Sequence, residues 1–263
     1  MSEEPLPPAA ELSNPLPASP ESGSAAPTLQ PDRYPFWTYS DFFVFLLLGA
    51  GCMLLSLVVV KGAVWALGVR GLNRAAELIA GQFIGYALLL GLLVLIVGVQ
   101  YHRPFWRSMG WIDPTGPVLG IVLAGMATAM AVAMIAYLIK TPTTTNPMME
   151  LMKDRTSIIL MAAFGVTIGP LFEELIFRGF LQPLLVRSFG VAPGIIAASL
   201  PFGLLHYQQY GNSWRHVVMI ALAGASFGAM RQVTGSTKAS TIMHGSYNGL
   251  FFVALLTQGK DLP

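Results

Sequence analysis

Residues 42–60 read FFVFLLLGAGCMLLSLVVV, a stretch without a single charged side chain. As a helix rising about 1.5 Å per residue it reaches across a hydrocarbon layer of roughly 30 Å. Working outward, similar apolar runs follow at 78–101, 116–139, 156–186, 191–205, 216–230 and 240–256, separated by short polar joints. The whole chain of 263 residues is 54% hydrophobic and only 11% charged. Soluble domains carry about 25% charged residues. The expected fold is therefore all-α: a polytopic integral membrane bundle of about seven (six to eight) transmembrane helices.

The joints support this division. Trp37 and Tyr39 precede the first run, where an aromatic belt is expected. Arg70, Arg74 and Glu77 lie in the next joint, and His102, Arg103, Pro104 and Arg107 in the one after. Gly116, Gly120, Ala124 and Thr128 recur every four residues in the third run, a small-residue stripe on which another helix can pack closely. Between 143 and 155 the chain turns polar around a Met-rich centre. Asn146-Pro147 reads as a cap and first helical position. Met148, Met149, Leu151 and Met152 form the apolar side of a short interfacial helix, with Lys153 and Arg155 near its C-terminus.

Residues 1–33 are rich in Pro, Ser and Ala and poor in aromatic and β-branched side chains, so they are expected to form a disordered tail. Glu3 and Glu4 stand where a signal peptide would be basic. The expected organisation is this tail, N-terminal transmembrane helices over 34–140, and a catalytic core over 141–263. The lone cysteine, Cys52, excludes an intramolecular disulfide and reads as a small buried hydrophobe. A net charge of +2, with no basic run, argues against nucleic acid as a partner. Loop arginines and lysines divide almost evenly between the two sides, so orientation stays open.

The fourth run contains Glu173-Glu174-Leu175-Ile176-Phe177-Arg178. An ionised residue at the centre of a membrane helix costs roughly 2.5–3.5 kcal/mol on insertion scales, and such residues mark functional sites. Glu174 and Arg178 are four apart and share a helix face, so they can pair. Glu173 lies about 100° further round and has no such partner on its own helix. Its partner must be another helix or water. Two more polar sites follow. His206 closes the fifth run after Phe202, and His244 and Asn248 sit one turn apart on the seventh. Alone, each has an ordinary explanation: a packing pair, an interfacial histidine, a helix-to-helix hydrogen bond. His102 and His216 read as interfacial. Together, a carboxylate and an imidazole can activate water as a general base, while a second imidazole and a carboxamide stabilise an oxyanion. No H-E-x-x-H or phosphate-loop motif is present.

The ordered set E-E-x-x-x-R, F-x-x-x-H and H-x-x-x-N resembles the CAAX prenyl protease and bacteriocin-processing (type II CAAX, Abi) family of intramembrane endopeptidases. Glu173, Glu174 and Arg178, then Phe202 and His206, then His244 and Asn248 carry the resemblance, over about residues 156–256. It implies that Glu173 and His206 activate water, that His244 and Asn248 form the oxyanion site, and that Glu174 and Arg178 brace the helix or position substrate. It implies a peptide or protein substrate, prenylated or otherwise membrane-anchored, and residence in the plasma membrane of a prokaryote. Family members are described both as metalloproteases and as metal-free. If zinc is used, Glu173, His206 and His244 are the ligands expected. The metal-free alternative is favoured because these residues come from three separate helices without a local ligand pair. The competing functions are a non-proteolytic membrane scaffold or bacteriocin-immunity-type protein, and a proton-coupled transporter. The transporter would need a matching second half that the chain lacks.

Overall fold

The computed structural model describes residues 34–69, 71–141 and 147–258. The expectations for the tail at 1–33, for Arg70 and for Asn146 as a cap lie outside those residues. From Tyr34 onward the chain forms one compact unit. Its long elements are α1 (Tyr39–Ala66), α2 (Arg74–Gln100), α3 (Val118–Leu138), α4 (Arg155–Phe189), α5 (Val191–Leu205), α6 (Trp214–Thr234) and α7 (Thr237–Gln258). Each coincides with or overlaps one apolar run of the sequence. Two short helical pieces, Phe105–Ser108 and Pro147–Leu151, lie in the joints. No strand occurs among the described residues.

The protein is a polytopic helical membrane protein. Five helices, α1, α2, α3, α4 and α6, are long and apolar enough to cross a bilayer. The other two fall short for different reasons. α5 has 15 residues, about 22 Å at the usual rise. α7 has 22 residues but carries Thr237, Lys238, Ser240, Thr241, His244, Ser246 and Asn248. The outer faces are apolar, with Leu47, Leu54, Val58, Leu119 and Met130 all exposed. In water such a surface would aggregate; in lipid it is the solvent-facing side.

α1 and α2 form an antiparallel pair fastened at both ends. At one end the buried Asp41 carboxylate accepts from Thr38 N and Oγ1, from Gln100 Nε2 and from Tyr101 Oη. At the other, Lys61 and Glu77 pair at 2.9 Å. α4 is the central element and touches α2, α5, α6 and α7. Its start is capped by Asp154, whose carboxylate accepts from Ser157 N at 2.9 Å. The Ser157 hydroxyl bond holds the Asp154 carboxyl below its ordinary range.

Pro170 neither breaks nor ends α4, although a kink or break is the ordinary outcome. The helix instead runs through two π-helical stretches, Phe164–Ile168 and Leu175–Leu181, on either side of the glutamate pair. Gly169 N bonds Phe164 O, five residues back. In that register the next donor would be the nitrogen of Pro170, which carries no hydrogen, so Gly165 O is left open. π-turns of this kind gather at functional sites.

Three expectations need correction. Trp37 is not a belt residue: it is fully buried, stacks on Phe180 and donates its indole N–H to Phe180 O at 3.0 Å. A free indole N–H in the core would be costly, and the carbonyl relieves it. The packing seam of α3 lies one residue off the stripe read from sequence. Ile121, Gly125 and Val132 are buried, whereas Gly116 and Gly120 are exposed. Thr128 turns its hydroxyl back to Ala124 O. Finally, Lys153 and Arg155 do not close the Met-rich helix. Arg155 opens α4, and Met152 is buried against Ala75, Ile158, Met161 and Phe252.

Candidate active site

The two glutamates part company at once. Glu174 is fully buried and lies 3.2 Å from Arg178 Nη1, one turn on. Arg178, equally buried, donates from Nη2 to Gly224 O at 2.7 Å and lies over the Phe202 ring at 4.5 Å. Glu174 Oε1 also lies 3.0 Å from His244 Nδ1. Arg178, Glu174 and His244 thus form one buried chain, in which each charge has an opposite or polar neighbour. Glu173 leaves the helix on the other side. It is 20% exposed, and Tyr86 Oη, from α2, donates to its Oε1 at 2.9 Å. His244 Nε2 stands 3.8 Å from Glu173 Oε2. One imidazole therefore spans both glutamates, through different nitrogens.

His206 caps the C-terminal end of α5, and its Nδ1 lies 2.8 Å from Phe202 O. A carbonyl can only accept, so Nδ1 carries the proton. Nε2 of the neutral ring is then free to take one. Phe202 fixes this arrangement from below: its ring packs against His206 at 5.0 Å and His244 at 5.7 Å.

Asn248, one turn after His244, donates from Nδ2 to Gly165 O at 2.7 Å. That carbonyl is the one Pro170 leaves without its helical donor. Between the two, Gly245 lets α7 sit directly on the same stretch: a Cβ there would come within 2.6 Å of Val166 O. The proline three residues before Glu173 therefore creates the seat for the third motif. One of Asn248's two amide hydrogens is committed to it, and one remains.

Glu173, His206, His244 and Asn248 all line one cavity of about 140 Å³, with room for several waters. Gln82, Tyr210 and Tyr247 complete its polar wall, and Met148 and Gln209 meet at one end through Met148 N and Gln209 O. Burial and the charge of Glu173 push the Tyr210 phenol above its ordinary range. Among the described residues no three His, Cys, Asp or Glu side chains come together as a metal-ligand group. Glu173, His206 and His244, the ligands expected if zinc is used, share the cavity.

Sequence reasoning missed Tyr86 and Gln82. They lie one turn apart in an otherwise apolar run, and that polar pair on one face was the available signal. The Gly165 carbonyl was also missed, because a backbone acceptor has no signature of its own.

Fold and site together define a membrane-embedded protein with a carboxylate–imidazole centre in a polar cavity. A family model described as Type II CAAX prenyl endopeptidase, Rce1-like, matches residues 155–250. That span runs from the first residue of α4 into α7 and includes all three motifs. The matched segment belongs to this family, and the chain is in general terms an intramembrane endopeptidase of the CAAX-protease kind. No curated protein and no solved structure matches the chain.

Proposed function

We propose that the protein hydrolyses a peptide bond of a membrane-anchored, prenylated peptide or protein, using water activated by Glu173 and His206 without a metal ion. The observation that supports this most is Glu173 itself. It is an intramembrane carboxylate that, among the described residues, has no arginine or lysine within ion-pair distance; it is held by Tyr86, and it shares a cavity with His206, His244 and Asn248. The family description supplies the prenylated substrate class.

In this reading a water lies between the Glu173 carboxylate and His206 Nε2 and loses a proton as its oxygen attacks the scissile carbonyl carbon. The developing oxyanion accepts from His244 Nε2–H and from the remaining N–H of Asn248. In the donating form His244 carries protons on both nitrogens, with Nδ1–H directed to Glu174. The proton taken from water then passes to the leaving amine, the C–N bond breaks, and the cavity refills with water. Glu174 and Arg178 touch neither water nor substrate. They hold His244 in place.

The test is hydrolysis itself. Purified protein in neutral-lipid bilayers is given a prenylated C-terminal peptide, with and without a chelator, and products are identified by mass spectrometry. The expected result is cleavage of an internal peptide bond that survives chelation. Stoichiometric zinc whose removal abolishes cleavage overturns the metal-free mechanism. Absence of cleavage from every membrane-anchored peptide offered, by protein shown to be folded, overturns the protease assignment and favours the scaffold.

A further inference from the structure

A second pocket, of about 320 Å³, lies at the opposite end of the helices from the meeting of Met148 with Gln209. Arg178, Arg187 and Arg231 line it, together with Gln182, Tyr34 and Pro183. Arg187 and Arg231 belong to the last turns of α4 and α6, so the pocket starts where those helices emerge. Arg178 is its floor, and the Phe202 ring beneath Arg178 also lines the catalytic cavity. The two cavities stand back to back.

We propose that this pocket binds an anion of the phosphate class, either a phospholipid headgroup or free phosphate. Three guanidinium groups line it, and among the described residues no Asp or Glu does. Glu174 balances Arg178, but among the described residues no carboxylate pairs with Arg187 or Arg231. Arg187 is turned to backbone carbonyls of Pro35 and Trp37, and Arg231 to the Tyr34 hydroxyl. Neutral acceptors of this kind leave both positive charges uncompensated. The hydrogen-bond inventory points the same way. Among the described residues Arg178 Nε and Arg231 Nε are buried without an acceptor, and Gln182 Oε1 is buried without a donor, although Gln182 and Arg178 are almost wholly enclosed. Buried donors on charged groups are costly to leave unmade. Arginine's planar fork matches phosphate oxygens two at a time. A phosphate gives these donors acceptors and the cluster its counter-charge, and a hydroxyl on the phosphate or headgroup can donate to Gln182.

The test reads binding and so is independent of proteolysis. The protein is placed in phosphatidylcholine nanodiscs and its thermal midpoint followed on two titrations. One raises the fraction of phosphatidylglycerol; the other adds inorganic phosphate against chloride at equal ionic strength. The midpoint is expected to rise with a saturable dependence on ligand. Arg231→Gln, which removes no internal ion pair, is expected to weaken the apparent Kd about tenfold, the scale of one charge-assisted bond. Arg231→Lys falls between, because it keeps charge and loses the fork. Arg74→Gln, at the other surface, behaves as wild type. A response to lipid alone identifies the headgroup as ligand; a response to both identifies the free anion as sufficient. No response to either, or an equal response in Arg231→Gln, overturns the site.

Discussion

Glu173 and Glu174 differ by one position, about 100° round a helix, and that rotation sends one carboxylate to Arg178 and the other to the cavity. The pairing of Glu174 was legible because four-residue spacing fixes a shared face. The second hold on Glu174, by His244, was not, since it depends on how α7 is seated on α4. It matters for the chemistry: with Nδ1 committed, only Nε2 of His244 reaches the cavity. Tyr86 was hidden for a simpler reason, as a tyrosine in an apolar run reads as an ordinary aromatic. Its hydroxyl, from another helix, donates a hydrogen bond to Glu173. A hydrogen bond to a charged group is worth about 1.5–3 kcal/mol. Tyr86→Phe is therefore expected to lower kcat by at least about tenfold while KM and the thermal midpoint stay near wild type. Steady-state kinetics beside a melting curve separate these quantities, and an unchanged kcat removes Tyr86 from the positioning of the base.

At the scale of the element, α4 and α7 carry most of the account. Uninterrupted apolar runs made the helices legible, and the ends of α5 coincide with its run. Pro170 was visible too, but its consequence was not. The proline is absorbed by a π-helical stretch, and the carbonyl this leaves open holds Asn248. Local rules forecast the missing donor but not which neighbour fills the gap. The register of α3 teaches the same lesson. Small residues lie on two adjacent faces, and only the partner helix chooses between them. The chosen face carries Gly125, where a Cβ would press on Met243 O and lie 2.9 Å from Ser246 Cβ. Gly120, on the other face, has only Pro117 Cγ at 3.8 Å. Gly125→Ala is expected to cost about 1–3 kcal/mol by forcing α3 away from α7, and Gly120→Ala to be close to neutral. Thermal unfolding of both variants in the same detergent checks the pair. Equal behaviour would contradict the seam assigned to Ile121, Gly125 and Val132.

At the scale of the whole molecule, hydropathy gave the class of fold and somewhat blurred its count. Five helices meet the length and apolarity of a membrane span. α5 and α7 do not, and they are the helices that bring His206, His244 and Asn248 to the cavity. The polarity that keeps α7 below the apolarity of a membrane span includes that of the site. α2, which carries no family motif, nonetheless supplies Gln82 and Tyr86, so the site draws on both halves of the bundle. The central claim is the division of labour between two adjacent carboxylates in this setting. It is tested most directly by measuring cleavage rate and thermal midpoint together for Glu173→Gln and Glu174→Gln. Glu173→Gln should lose about 10²–10⁴-fold in kcat with its midpoint nearly unchanged. Glu174→Gln should lose stability by about 3–5 kcal/mol, because Arg178 is left as an uncompensated buried charge. Cleavage by Glu173→Gln at the wild-type rate would contradict the account.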